Sequence, residues 1–170
     1  YNDYVNKGKR PTDAKPFMDN VYYGCNIQLG YYGTAYGNAL YYDLSPHAGY
    51  KFTEALSAGV QVIYNNTSYS GLTRVNYNIF GIGAFGRALI LDRFFLQAEF
   101  DALSIPANWL NNTIVSRQIS EEKMVGLGYK SPLGDKLGYF FVLLYDIQPA
   151  YYSPYFYSPL IYRAGLSWNF

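Results

Sequence analysis

The sequence predicts an all-β chain, an eight-stranded antiparallel transmembrane up-and-down β-barrel, and three observations carry that expectation. Segments of alternating hydrophobicity recur from Val21 to Phe170, each with an apolar parity and a parity of small and polar residues. No stretch reaches the roughly 18–20 uninterrupted apolar residues of a spanning helix, a test that a strand-built membrane protein escapes because only alternate residues must be apolar. The apolar parity ends in tyrosines, while the other carries Asp43, Lys51, Glu99, Asp101, Asp146 and Arg163 among Gly and Asn. Charges alternating with small residues suit the inside of a narrow membrane barrel, whereas a soluble barrel would turn its apolar parity to a dry core.

Composition agrees. The 170 residues include 21 Tyr and 11 Phe, with a formal net charge of +1. Such a length favours one domain. Tyrosine, apolar in body and polar at its tip, suits a membrane–water boundary. The balanced charge lacks any basic cluster, which argues against nucleic acid. One cysteine makes no internal disulfide, and Cys25 lies on an apolar parity as a small hydrophobe. No basic segment followed by an apolar run opens the chain, so it reads as a mature form from which a secretion signal has been removed.

Residues 1–20, with Pro11, Pro16, Lys7, Lys9 and Arg10, show no period and are expected to be an irregular periplasmic leader; the barrel is expected over 21–170. The first strand sets Val21, Tyr23, Cys25, Ile27 and Leu29 against Tyr22, Gly24, Asn26 and Gln28, and a Gly/Tyr loop follows. The second sets Leu40, Tyr42, Leu44, Pro46, Ala48, Tyr50 and Phe52 against Tyr41, Asp43, Ser45, His47, Gly49 and Lys51. Pro46 lacks a ladder donor, so a bulge or local irregularity is expected there. After a turn at Thr53-Glu54, the third strand places Leu56, Ala58, Val60, Val62 and Tyr64 outward, and Asn65 to Arg74 reads as a loop.

The fourth strand, Val75 to about Leu89, starts with Val75, Tyr77 and Ile79 outward against Asn76 and Asn78; through Phe80 to Gly86 the parity is ambiguous, and a bulge there would swap it. Beyond a turn at Asp92-Arg93, the fifth sets Phe94, Leu96, Ala98, Phe100 and Ala102 against Gln97, Glu99 and Asp101. A long loop from Ser104 to Ser120 precedes the sixth strand, roughly Lys123 to Lys130. The turn Ser131 to Asp135 leads to the seventh, with Leu137, Tyr139, Phe141, Leu143, Tyr145 and Ile147 outward. A Tyr/Pro-rich loop from Gln148 to Pro159 precedes the eighth. Connections after strands two, four and six are short and the others longer, the pattern of periplasmic turns and surface loops, with both termini periplasmic.

An eight-stranded interior is just wide enough for its own side chains. The inward charges Asp43, Glu99, Asp101 and Asp146 are therefore expected to pair with Lys51, Arg163 and either Arg74 or Lys130 in a lumen-closing network. Asp43-x-Ser45-x-His47 invites a triad reading. Residues i and i+2 of a strand, however, lie roughly 6.5–7 Å apart, too far for a nucleophile and its base. No catalytic residue, cofactor site or metal site is assigned. Gly81-x-Gly83-x-x-Gly86 matches a dinucleotide fingerprint by letter only, inside a strand with no helix after it. Trp109, Leu110, Tyr151, Tyr152, Tyr155 and Tyr157 in the expected surface loops are candidates for partner contact, since aromatics supply area at low entropic cost.

The closing segment Leu160 to Phe170 turns Tyr162, Leu166, Trp168 and Phe170 to one face. It resembles the C-terminal strand of bacterial outer-membrane β-barrels, whose final aromatic is part of the signal read by the barrel-assembly machinery. That resemblance implies an outer-membrane address among lipids and lipopolysaccharide. Lys9-Arg10-Pro11-Thr12, Lys15-Pro16-Phe17, Leu44 to Phe52, Val125 to Tyr129 and the closing strand together are similar to a family of small barrels of Bacteroidota, OmpA/OmpX-like in architecture and without an assigned role. The similarity implies a non-enzymatic structural or accessory subunit associated with a larger outer-membrane protein complex. The alternatives are a lipid A-modifying enzyme and a small gated channel.

Overall fold

The structure, a computed structural model, describes residues 17–34, 37–71, 75–106, 116–149 and 159–169. Phe17–Asn20 form one 3-10 turn. Eight strands follow: β1 (Val21–Thr34), β2 (Gly37–Lys51), β3 (Leu56–Gly71), β4 (Val75–Leu89), β5 (Phe94–Pro106), β6 (Arg117–Pro132), β7 (Leu137–Asp146) and β8 (Leu160–Trp168). Each pairs antiparallel with its sequence neighbours, and β8 pairs back with β1 to close the barrel.

Paired residues followed around the wall from Val21 are Tyr50, Ala58, Gly86, Ala98, Val125, Tyr145 and Leu160. Continued from Ile27↔Ala164, the seam register sets Leu160 opposite Tyr31, which is 31 − 21 = 10 residues above the starting point. A rise of about 3.3 Å per residue, over eight strand spacings of about 4.8 Å, then tilts the strands roughly 40° from the axis, as closure requires. β1 begins and β8 ends at one end of the barrel, the terminal end. Asn169 ties that end by donating from Nδ2 to the carbonyls of Val21 at 2.8 Å and Asp19 at 3.1 Å.

Side-chain parity matches the sequence expectation in every strand but β4. There, even-numbered residues face out from end to end, with Phe80 and Ile82 exposed, while Ile79, Phe85 and Arg87 are buried. The β3–β4 register is continuous from Leu56↔Ala88 to Tyr69↔Val75, so no bulge swaps the faces and the expected outward position of Ile79 was wrong. The physical reason is that Ile79 joins Ile63, Leu103 and Ile105 in an apolar cluster inside the lumen. Pro46 makes the expected local irregularity without a bulge. The β2–β3 ladder skips Ser45 and Pro46 but keeps one register on both sides, Leu44↔Tyr64 and His47↔Gln61.

The strands outrun their apolar segments at the far end. β1 continues to Thr34 and β3 to Gly71, so the connections after them shrink to residues 35–36 and 72–74 instead of the longer loops expected. Residues 65–71 read as loop because they are polar on both faces. Backbone pairing holds them in strand regardless, aided by Asn66 Nδ2 donating to Asn78 Oδ1 at 2.5 Å. Only the connections after β5 and β7, residues 107–116 and 147–159, remain long.

Candidate functional site

Two surfaces are candidates for function, the charged lumen and the aromatic-banded wall. In the lumen, Glu99 and Asp101 are successive inward positions of β5, and Arg163 reaches them from β8. Arg163, 1% exposed, pairs with Glu99 and extends Nη2 to Asp101 Oδ2 at 3.4 Å. Gln61 of β3 donates to Glu99 Oε1 at 2.6 Å and to Asp101 Oδ1 at 2.9 Å, and Gln97 donates to Glu99 Oε2 at 2.6 Å. Asn26 donates to Gln61 at 3.3 Å, and Arg87 Nε to Gln97 at 2.7 Å. Five strands are thus cross-linked through one charge cluster. Gly83 makes room for it, since a Cβ there would lie 1.8 Å from Asp101 Oδ1.

Toward the terminal end the filling turns aromatic. The Arg87 guanidinium lies 4.5 Å from the Phe85 ring centre, 4.9 Å from Phe140 and 5.3 Å from Phe95, a desolvated cation–π arrangement. His47 meets Phe85 and Phe140 edge-on at 5.6 and 5.7 Å. Gly165 admits the Phe140 ring, which a Cβ would approach to 2.5 Å. Phe95, Phe140, Met124, Val142, Leu144 and Ile161 form a buried apolar cluster around this layer. A cavity of about 30 Å³ at the terminal mouth is lined by Tyr22, Lys51, Ser57, Arg87 and Lys130 among others.

Asp43, Glu99, Asp101, Asp146 and Arg163 are all buried, and Lys51 is half-buried. Of these, Arg163 meets Glu99 and Asp101 as ion pairs. Asp43 instead accepts from Ser45 Oγ at 2.5 Å, and Asp146 from the Gln148 backbone N–H at 3.0 Å. Asp43 and Lys51, both members of the expected network, are held apart. The two lie eight positions apart on β2, about 26 Å along the strand. Lys130 sits at the same mouth as Lys51, and Arg74 lies outside the described residues.

Arg87, Glu122 and the bridging roles of Gln61 and Gln97 escaped the sequence reading. An unbroken even–odd count through Ile82, Ala84 and Ala88 would have turned Arg87 inward. Glu122, with Ser120 Oγ donating to it at 2.7 Å, lies in the part of β6 before Lys123, where the sequence alternation does not mark a strand. The Asp43–Ser45–His47 row does not assemble as a triad: the Ser45 proton goes to Asp43, and His47 Nδ1 lies 3.4 Å from the Ser45 carbonyl.

Outside, the wall carries exposed apolar side chains banded by aromatics. Tyr23, Tyr50, Phe94, Tyr129, Tyr139 and Trp168 ring the terminal end, and Tyr31, Tyr42, Tyr64, Phe80, Tyr145 and Tyr162 ring the far end. From Tyr23 to Tyr31 is eight residues of β1, which at the strand tilt separates the rings by about 20 Å. Between them Ile27, Val60, Val62, Ile82, Leu127 and Leu143 are exposed. Trp168, Leu166 and Tyr162, the expected assembly residues, all face outward, and Tyr162 Oη also donates to the Leu29 carbonyl at 3.1 Å. Phe170 lies outside the described residues, as do Trp109, Leu110, Tyr151, Tyr152, Tyr155 and Tyr157.

Fold and surface together define a class: a closed eight-stranded antiparallel barrel with an apolar, aromatic-banded exterior and a packed interior of charges and rings. No protein-family model and no curated protein sequence matches the chain. Among solved structures, the N-terminal β-barrel domain of Pseudomonas aeruginosa OprF is similar, at 14% identity and a TM-score of 0.46, over 87% of this chain and 94% of that one.

Proposed function

We propose that the chain is an integral outer-membrane β-barrel with a lumen closed by its own side chains, acting as a structural or accessory subunit and not as an enzyme. The observation that carries the membrane reading is the pair of aromatic rings about 20 Å apart with an apolar band between them. That matches the apolar belt, about 25 Å tall, of a bilayer-spanning barrel. Among the described residues, large hydrophobics stand exposed along the outward face of every strand, which is costly in water but favourable in lipid. The terminal end faces the periplasm in this reading, because the two long connections, after β5 and β7, are at the far end and long connections belong at the cell surface.

Closure is supported by the Arg163–Glu99–Asp101 cluster stacked on the Phe85, Phe95 and Phe140 layer, an interior filled in the way eight-stranded barrels are. The accessory role draws on the exposed wall aromatics and on the Bacteroidota resemblance. Lipids and lipopolysaccharide surround the wall, and the barrel-assembly machinery inserts it, with Tyr162, Leu166 and Trp168 on the face presented.

Heat-modifiable gel migration after insertion into lipid vesicles tests the barrel, and a chain that migrates identically boiled and unboiled refutes it. Planar-bilayer recordings are expected to show no single-channel steps; regular steps would refute closure. Native purification in mild detergent is expected to yield a stoichiometric outer-membrane partner, and a chain that always elutes alone would refute the accessory role. Lipid A profiles are expected to be unchanged by Ser45→Ala with His47→Ala.

A further inference from the structure

We propose that the outer wall at the far end holds a phosphorylated lipid, its phosphate on Arg117 and Asn78 and an acyl chain in a groove beneath them. The proposal rests on the membrane reading above. Arg117 is exposed on the outward face of β6, yet it is not loose. Its Nε donates to Ser104 Oγ at 2.8 Å, its Nη2 donates to the carbonyls of Ser104 at 2.5 Å and Asn78 at 3.0 Å, and its guanidinium lies 5.5 Å from the Phe80 ring centre. The β4–β5 ladder ends at Phe80↔Ser104, and Pro106 has no N–H to continue it, so the arginine fork bridges carbonyls that the splayed strands leave behind.

A cation pinned this way has already lost most of its rotamer freedom, so a ligand meets little further ordering cost. Its Nη1 makes no hydrogen bond among the described residues. Asn78 is oriented too, because its Oδ1 accepts from Asn66 Nδ2 at 2.5 Å and from Tyr64 Oη at 3.4 Å, which leaves Nδ2 as an outward donor. Two fixed donors, one of them charged, suit a phosphate oxyanion. The carboxylate next along β6 is Glu121, four residues away on the same face and about 13 Å along the strand.

The second observation is independent. Immediately below the Phe80↔Ser104 pair, an apolar groove of about 640 Å³ crosses the outer wall of β2 to β5. Its low points are Pro46, Ala48, Ala84 and Ala102, and the larger Val60, Val62, Ile82 and Phe100 stand between and beside them. The volume is in the range of small-molecule sites. Ile82 and Ala102 pair one outward step below Phe80 and Ser104, so groove and cation are continuous. An apolar groove rimmed by a fixed cation is complementary to an acyl chain with a phosphate head. A free phosphate would use the rim alone.

The experiment is native mass spectrometry of the folded, detergent-solubilised chain with dioleoyl phosphatidic acid, with dioleoylglycerol, and with inorganic phosphate as competitor. Phosphatidic acid is expected to bind preferentially, and millimolar phosphate is expected not to displace it. Arg117→Gln is expected to weaken phosphatidic acid about tenfold and leave dioleoylglycerol unchanged, as loss of a charge-assisted hydrogen bond implies. Ala102→Phe, which fills the groove, is expected to weaken both lipids. Asn78→Asp, which keeps the backbone clasp but adds a repelling charge, is a second route should Arg117→Gln fail to fold. Unchanged selectivity in folded variants, or displacement by inorganic phosphate, overturns the proposal alone. Failure of the wild-type chain to insert into vesicles overturns the membrane reading with it.

Discussion

Arg163→Met removes the cation at the centre of the lumen and keeps roughly its length. Glu99 and Asp101, 5% and 0% exposed, then face each other with the amides of Gln61 and Gln97 as their hydrogen-bond donors. Removing one partner of a buried pair strands an uncompensated charge, which costs about 3–5 kcal/mol. Neutralising the stranded carboxylates with Glu99→Gln and Asp101→Asn in the same chain should recover most of that loss, leaving about 1–2 kcal/mol for imperfect hydrogen bonding. Urea unfolding from lipid vesicles, followed by Trp fluorescence and by gel mobility, measures both. The two probes must coincide for a two-state reading. If Arg163→Met alone unfolds within about 1 kcal/mol of the wild type, or if the triple variant is no better than the single one, the lumen is not organised around this ion pair.

Three further outcomes are expected. Leu143→Arg, midway between the aromatic rings, should cost about 2–4 kcal/mol in vesicles, whereas Tyr139→Arg at the terminal ring should cost about 0–1. Equal costs at the two depths would contradict the belt. Gly165→Val drives a side chain into the Phe140 ring and should destabilise by about 1–3 kcal/mol, partly restored by Phe140→Ala in the same chain; absence of coupling in this double-mutant cycle would disprove the packing. Pro46→Ala supplies the missing ladder donor next to Val62, so amide exchange around Ser45 and Val62 should slow; unchanged exchange would show that the gap in the ladder has another cause.

Much of the barrel is legible in the residues. The period of two in β5, with Phe94, Leu96, Ala98 and Phe100 against Gln97, Glu99 and Asp101, names the strand and both its faces at once. β4 is not legible in the same way. Ile79 and Phe85 on one parity and Phe80 and Ile82 on the other make both faces apolar, and only the continuous register to β3 shows which is inside. The far-end extensions are illegible for the opposite reason. Residues 65–71 are polar on both faces, and their pairing comes from the neighbouring strand and not from burial.

The lumen shows the same division. Which charges point inward follows from parity, so Asp43, Glu99, Asp101, Asp146 and Arg163 could be named from the chain alone. Which of them meet depends on level along the axis, and level is set by the ten-residue offset accumulated around the closed wall. That offset brings Arg163 of β8 beside Glu99 of β5 and holds Lys51 near Lys130 at the terminal mouth. The sequence by itself therefore determined the strand number, the facing of most side chains and the apolar exterior, because these depend on local periodicity. Only the tertiary structure decided the partners across the lumen, the placing of Arg87 among the rings and the clasp of Arg117 above the groove. Those contacts depend on how separate strands are set against one another, and no local pattern encodes their register.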